Sequence, residues 1–271
     1  MKSLERKAWI ADRLSSHGRV QVEEVAEILG VSKMTIYRDI DSMALEGAVR
    51  KIRGGASMES SALFESDFRF RQKKFAAQKS EVASIASTLI EPGMTVMIND
   101  GSTGVEIAAA LTACTPLTII TNNVGIFERV GEKSGFDIIL TGGNYLKKYH
   151  ALHGIVAENA ISQIRADVCF ISTAAVDSKN SYSRDQNVVR VKQKMIKSSK
   201  LSYLTVTSNK FYSSALHQVA PLREFDMIIT DSSLNTNVAD ELRAESIELM
   251  NELSVYAEDV SEDQTTQPDE R

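Results

Sequence analysis

The chain has 271 residues, 43% of them hydrophobic and 25% charged, with a formal net charge of −5. That composition suits a soluble globular protein of two unequal domains, no apolar run approaches the ~20 residues of a membrane span, and the charged start MKSLERKAWIADRL does not resemble a secretion signal, so a cytoplasmic location is expected. Cys114 and Cys169 lack metal-ligand spacing and are expected as buried thiols, and His150 and His153 have no Cys or carboxylate cluster beside them, so neither a metal site nor a cofactor is expected.

In chain order, Leu4–Ser16 predicts a first helix with Leu4, Ile10, Ala11 and Leu14 as its apolar contacts. Val22, Val25, Ala26 and Leu29 fall at i, i+3, i+4 and i+7 and predict a second, stopped by Gly30. Ser32 can cap a third, which buries Ile36, Ile40, Met43 and Ala44 and leaves Lys33, Met34, Tyr37, Arg38 and Asp41 largely outside. A short capped helix that presents Lys, Thr, Tyr and Arg while packing its back on a partner helix suits the major groove of DNA. Gly47 ends it. Ala48–Ile52, with Arg50, Lys51 and Arg53, suits a short basic hairpin, and Gly54-Gly55 a tight turn beyond it, together a wing for phosphate or minor groove. The expected DNA contacts are Ser32, Lys33, Met34, Thr35, Tyr37, Arg38, Lys51 and Arg53. By pattern alone, a helical hairpin inside an ordinary domain would serve equally well. Charge leans towards DNA: residues 1–57 hold ten Lys/Arg and eight Asp/Glu, net +2, and the remaining 21 and 28 give net −7.

These residues resemble a known family. Arg6, Ile10, Leu14, Ser32, Thr35, Ile36, Arg38, Asp39, Ile40 and the Gly54-Gly55-Ala56 ending are similar to the N-terminal signature of DeoR-type transcription regulators. The family usually has Arg or His where this chain has Tyr37. Tyrosine can pack on a thymine methyl but cannot make a bidentate guanine contact, so an operator sequence does not carry over.

Residues 58–75 are expected as a linker and connector. Ser57–Ala62 is small and polar, and FESDFRFRQKKF (Phe64–Phe75) is expected as a solvated helix face, with packing between domains or DNA contact as the alternative. From residue 76 to 257 the texture changes. Val82, Ile85, Ala86 and Leu89 mark an amphipathic helix. Apolar strands follow at Thr95–Ile98, Leu117–Thr121, Asp137–Thr141, Val168–Thr173, Tyr203–Val206 and Met227–Thr230, with a last one within Ser246–Ala257. Helical patterns alternate with them at Gly104–Leu111, Val124–Glu132, Ile155–Ile164, Val188–Ser198 and Asn237–Glu245. The fold class is therefore α/β: an N-terminal winged helix-turn-helix, residues 1–57, and a larger Rossmann-like, mostly parallel domain. Residues 258–271 are expected as an acidic disordered tail.

Ligands of open parallel sheets bind beyond the strands' carboxyl ends. There the chain carries Asn99-Asp100-Gly101-Ser102-Thr103-Gly104 before a helix, a phosphate cradle in outline, then Thr121-Asn122-Asn123, Thr141-Gly142-Gly143-Asn144 and Thr207-Ser208-Asn209-Lys210. No P-loop or spaced Rossmann glycines are present, so no nucleotide cofactor is expected. The order Asp100–Thr103, Thr121-Asn122, Gly142-Gly143, His153-Gly154, Asp177 and Asn209-Lys210-Phe211 resembles the effector domain of the same family, which is similar in fold to ribose-5-phosphate isomerase. The resemblance implies a sugar-phosphate effector that relieves repression. It implies effector contacts at Asp100, Gly101, Ser102, Thr103, Thr121, Asn122, Gly142, Gly143, Asp177 and Lys210. The run Ser178–Val189 and Thr207 depart from the family pattern, which often has acidic residues there. The expected partners are double-stranded operator DNA and a phosphorylated sugar, with no membrane, and the expected assembly is a homodimer or homotetramer. The alternatives are a sugar-phosphate isomerase with an accessory DNA-binding module, with Asp100 or Asp177 as base and Lys210 as stabiliser, and an architectural DNA binder without ligand.

Overall fold

The computed structural model describes residues 1–59, 61, 64 and 66–253 of the chain. The tail expected at 258–271 and the end of the last expected strand lie outside these residues.

The N-terminal region runs α1 (Ser3–His17), β1 (Arg19–Gln21), α2 (Val22–Leu29), α3 (Lys33–Leu45), β2 (Arg50–Ile52) and β3 (Gly55–Ser57). Ile10, Leu14, Val25, Ile36 and Ile40 close its core, and Gly30 ends α2 with φ 62°. Two expectations change. Leu4 is 81% exposed, because the first turn of α1 directs Ser3, Arg6 and Lys7 at α3 instead. The Gly54-Gly55 pair also lies inside the wing rather than beyond it. Gly54 turns the hairpin and Gly55 opens β3, which continues to Ser57 because β1 gives it a second antiparallel partner, Val20 opposite Ala56.

The connector forms α4 (Phe68–Lys73), followed by α5 (Ala76–Ser87). It is not a solvated face: Phe68 and Phe70 are both buried. The remainder comprises β4 (Thr95–Ile98), α6 (Ser102–Ala110), β5 (Leu117–Thr121), α7 (Val124–Val130), β6 (Phe136–Leu140), β7 (Asn144–Leu146), β8 (Ala151–His153), α8 (Ile155–Ser162), β9 (Ala166–Ile171), β10 (Ala175–Val176), β11 (Asn180–Ser183), α9 (Gln186–Lys197), β12 (Ser199–Thr205), β13 (His217–Pro221), β14 (Met227–Ile229), α10 (Thr236–Ala244) and β15 (Leu249–Met250).

Seven of these strands form one parallel sheet in the order β15-β14-β12-β9-β4-β5-β6. Strand side chains alternate between its faces. Val96, Ile98, Val168 and Phe170 meet α5, α6 and α7 through Val82, Ile85, Val105, Ile107 and Ile126. Met97, Cys169, Ile171 and Leu204 meet α8, α9 and α10 through Ile161, Val191, Met195 and Leu242. From β4 the chain winds outward to β5 and β6 on one side and to β9, β12, β14 and β15 on the other. The switch point of this doubly wound sheet is therefore between β4 and β9, where such folds place ligands. Two small antiparallel pieces were not expected: the hairpin β7–β8 and the sheet β10-β11-β13. Their strands are too short to show an alternating pattern.

Cys169 is buried, and burial pushes its thiol up to about 11; Cys114 is only partly buried, contrary to expectation. His150 lies in a turn with φ 52° and His153 in β8, and no group of three metal-binding side chains occurs among the described residues. No helix among them is long and apolar enough to cross a membrane.

Candidate functional site

The DNA-facing candidates occupy α3 and the wing. The Ser32 hydroxyl accepts the Thr35 N–H at 3.2 Å and so caps α3, as its position demands. Met34 and Tyr37 are 60% and 40% exposed, and Arg38 and Arg53 are exposed as well. Lys33 pairs with Glu23 of α2; the hydrogen bond raises Lys33 and lowers Glu23 from their ordinary values. Lys51 meets Asp41 at 2.6 Å, which ties the wing to α3 and brings both basic surfaces side by side.

The second site is a cavity of about 460 Å³ at the switch point. Asp100, Gly101, Ser102 and Thr103 form one wall, as the end of β4 turns into the N-terminus of α6. Gly101 is required there: its φ is 140°, and a Cβ would lie 2.5 Å from Ser172 Oγ. Asn99 joins the two strand ends, accepting the Ser172 N–H at 2.7 Å on Oδ1. Lys210, on the loop after β12, lines the cavity too.

The cavity holds cations that the motif reading passed over. Lys192 of α9 is 4% exposed; it donates to Ser172 O at 2.7 Å and lies 3.7 Å from Asp100 Oδ1. Burial is the largest influence on Asp100 and opposes its charged form, but Lys192, His153, Asn99 and Arg71 together outweigh it and hold the carboxyl below its ordinary value. Lys79 of α5 is 5% exposed. Burial brings it down to about 8, with the like charge of Lys210 adding to the effect. Arg71 of α4 and Tyr149 of the β7–β8 turn complete this side. A signal existed for both lysines. Lys192 stands four residues after Val188 and three before Met195, and Lys79 three and four residues before Val82 and Ala83, so each is a charge on a buried helical stripe.

Five expected effector residues lie outside this cavity. The Thr121 hydroxyl donates to Ile98 O at 2.7 Å, and Asn122 exchanges bonds with Leu152 at 2.8 and 2.9 Å. Gly143 has φ 129°, and a Cβ there would come within 2.6 Å of His153 O; Gly142 lies beside it. Asn122 thus ties β8 to the end of β5, and Gly143 passes close beside β8 as well. Asp177 accepts the Lys179 and Asn180 N–H groups at 2.8 and 2.7 Å and the Tyr182 hydroxyl at 2.7 Å, which makes it the turn of β10–β11. The isomerase reading is thus weakened at both proposed bases: Asp177 does not line the cavity, and the lowered carboxyl of Asp100 is a poor proton acceptor.

Comparison with known proteins covers both regions of the chain. Residues 6–62 match the DeoR-like helix-turn-helix domain, and residues 74–232 match the DeoR C terminal sensor domain. The chain is 31% identical to the glycerol-3-phosphate regulon repressor of Haemophilus influenzae over 85% of its length and 90% of that protein. It is 27% identical to a putative aga operon transcriptional repressor of Escherichia coli O157:H7, covering 91% of this chain and 93% of the relative. Among solved structures it is similar to a D-ribose-5-phosphate isomerase in complex with phospho-erythronic acid, with a TM-score of 0.37 and 14% identity over 50% of this chain and 54% of that one.

Proposed function

This chain belongs to the DeoR family of transcription regulators, and from that premise we propose that it represses a carbohydrate-metabolism operon and releases its operator when a phosphorylated sugar fills the cavity between β4 and β9. It is a regulator and not an enzyme. One observation carries the effector reading: the N-terminus of α6, with its Gly101-Ser102-Thr103 turn, opens into the same cavity as Lys79, Lys192 and Lys210. Helix N–H groups and lysines together favour a phosphate, and Asp100 supplies acceptors for sugar hydroxyls.

In this proposal residues 1–57 read the operator through α3 and the wing, 58–75 connect, and 76–257 sense. Thr121, Asn122, Gly142 and Gly143 then support the site from behind. A small reader of net charge +2 makes few phosphate contacts, so two or more copies on paired half-sites supply the affinity. Light scattering at micromolar protein should give a dimeric or tetrameric mass, and a monomeric mass with and without DNA would refute it.

The effector test uses a duplex selected by the protein itself from random DNA. Phosphates of ribose, fructose, glucosamine and glycerol are screened by thermal shift and then by release of the labelled duplex. A ligand that prefers the native fold raises the melting temperature. If none raises it and none releases the DNA, the effector reading fails.

A further inference from the structure

Phe68 and Phe70 are two residues apart on α4, so they project from nearly opposite sides of the helix. Phe68 packs into the sheet domain's core with Val82 and Val105, and Phe70 into the reader's core with Ile10 and Ile36. The connector helix is therefore embedded in both domains. Arg71, the next residue, lines the effector cavity.

The end of this helix is held by the sensor. The Lys79 ammonium on α5 donates to the backbone carbonyls of Arg71 and of Gln72, the latter at 3.1 Å. These carbonyls belong to the last turn of α4, which the helix itself leaves open. Between α4 and α5 stands Phe75, whose φ of 56° is costly for a bulky side chain. Such a joint persists only while its surroundings hold it, and Lys79 holds it twice, through its ammonium and through its backbone N–H to Phe75 O at 3.1 Å.

Lys79 also faces the cavity. We propose that Lys79 is at once an anion-binding residue of the effector site and the latch on the connector helix, so that the effector frees the reader by drawing Lys79 away from the α4 carbonyls. The inference rests on the reading that an anionic effector fills this cavity. A phosphate adds a full opposite charge that the two neutral carbonyls lack, and a buried ammonium near Lys210 is poorly solvated and gains most from an anion. With the latch drawn off, the strained Phe75 joint can relax, and α4 carries Phe70 and the reader's core with it. The ligand then prefers the unlatched state, the differential affinity that any switch requires. A merely structural lysine would cap α4 without changing what the effector does to DNA.

The test separates binding from coupling in the full-length protein. The probe is whichever phosphate of ribose, fructose, glucosamine or glycerol releases wild type most. Calorimetry gives probe affinity, and a gel-shift titration gives operator affinity with no probe and with saturating probe. Lys210→Ala should need about ten- to a hundredfold more probe yet reach full release at saturation. Lys79→Gln keeps a donor for the carbonyls but drops the charge. It should bind the probe roughly tenfold more weakly, and saturating probe should change its operator affinity less than about twofold. Lys79→Arg should restore release. A Lys79→Gln protein that reaches wild-type release at saturation overturns the latch and leaves the effector reading intact. A wild type that neither binds nor responds to any probe overturns both. Should Lys79→Gln not melt cooperatively, hydrogen exchange of wild type decides: the probe must speed exchange at the α4 amides, and unchanged exchange there refutes the latch.

Discussion

Arg6 donates from Nε to Asp39 Oδ2 at 2.7 Å and from Nη2 to Oδ1 at 3.2 Å, pinning α1 to the back of α3, with Ser3 adding a bond of 2.8 Å to the same carboxylate. Both partners are largely buried. These two residues of the family signature are therefore structural, and they set the angle at which α3 is presented. Asp39→Ala would strand a largely buried guanidinium and should cost roughly 3–5 kcal/mol, read as an earlier chemical unfolding transition of the reader. Asp39→Asn keeps an acceptor and should cost less. An unchanged midpoint for Asp39→Ala would mean that water replaces the carboxylate without loss.

The exposed face of α3 should carry base readout. Tyr37→Ala and Arg38→Ala each remove an exposed side chain, so the fold should persist. Operator affinity should fall by about 1–3 kcal/mol per lost base contact, measured by gel shift at constant salt. If both variants bind as wild type does, the reading face lies elsewhere.

Lys210→Ala should spare operator binding, since Lys210 belongs to the β12 loop and not to the reader. Loss of a charge-assisted bond of roughly 1.5–3 kcal/mol predicts effector affinity lower by about ten- to a hundredfold. An effector titration overlaying wild type would remove Lys210 from the site.

The Asp100–Lys192 pair sets an acid limit. The folded-state pKa of Asp100 lies below its ordinary 3.8. Its contribution to stability is thus present above that value and is lost as pH falls through the lower folded-state pKa. Asp100→Asn removes the carboxylate charge that faces Lys192, which keeps its bond to Ser172 O, and should lose on the order of 1–3 kcal/mol near neutral pH. The gap to wild type should narrow as pH falls below 3.8 and through the lower folded-state pKa, as wild type itself takes up the proton. Urea melts across this range would show it, and a gap independent of pH would mean that the pair is not coupled.

Lys79 predicts a limit in alkali for the switch. Burial and Lys210 bring it to about 8, with Arg71 also lowering it and Glu106 of α6 opposing. Below that value the ammonium is charged and meets the anion; above it the proton is lost, while a phosphate monoester, with its second pKa near 6, stays dianionic. Effector affinity should decline as pH rises through about 8, and the decline should vanish in Lys79→Met. The same slope in wild type and variant would assign it to another group.

Much of this molecule was legible from residue order. Ser32, Gly30 and the Ile36/Ile40 stripe marked the reader because capping and helical periodicity are local, and the apolar strands from Thr95 to Met227 marked a parallel sheet because a strand buried on both faces must be apolar throughout. The polar strand ends were legible for the same reason. Which of them share a cavity was not, because that depends on strand order. With β4 and β9 adjacent, Asp100–Thr103 face Ser172, whereas Thr121-Asn122 and Gly142-Gly143 fall on the far side, where Asn122 bonds the β7–β8 hairpin. Asp177 looked equivalent to Asp100 in one dimension and is a hairpin turn in three. The connector is not legible in FRFRQKK because that run has no single apolar face, and a helix embedded in two cores needs two faces at once. Residue order thus determined the elements and their chemistry, through interactions that span a few residues. The tertiary structure alone decided that Lys79, Lys192 and Lys210, more than a hundred residues apart along the chain at their extremes, share one cavity, because only long-range packing brings a connector, two helices and two strand ends together.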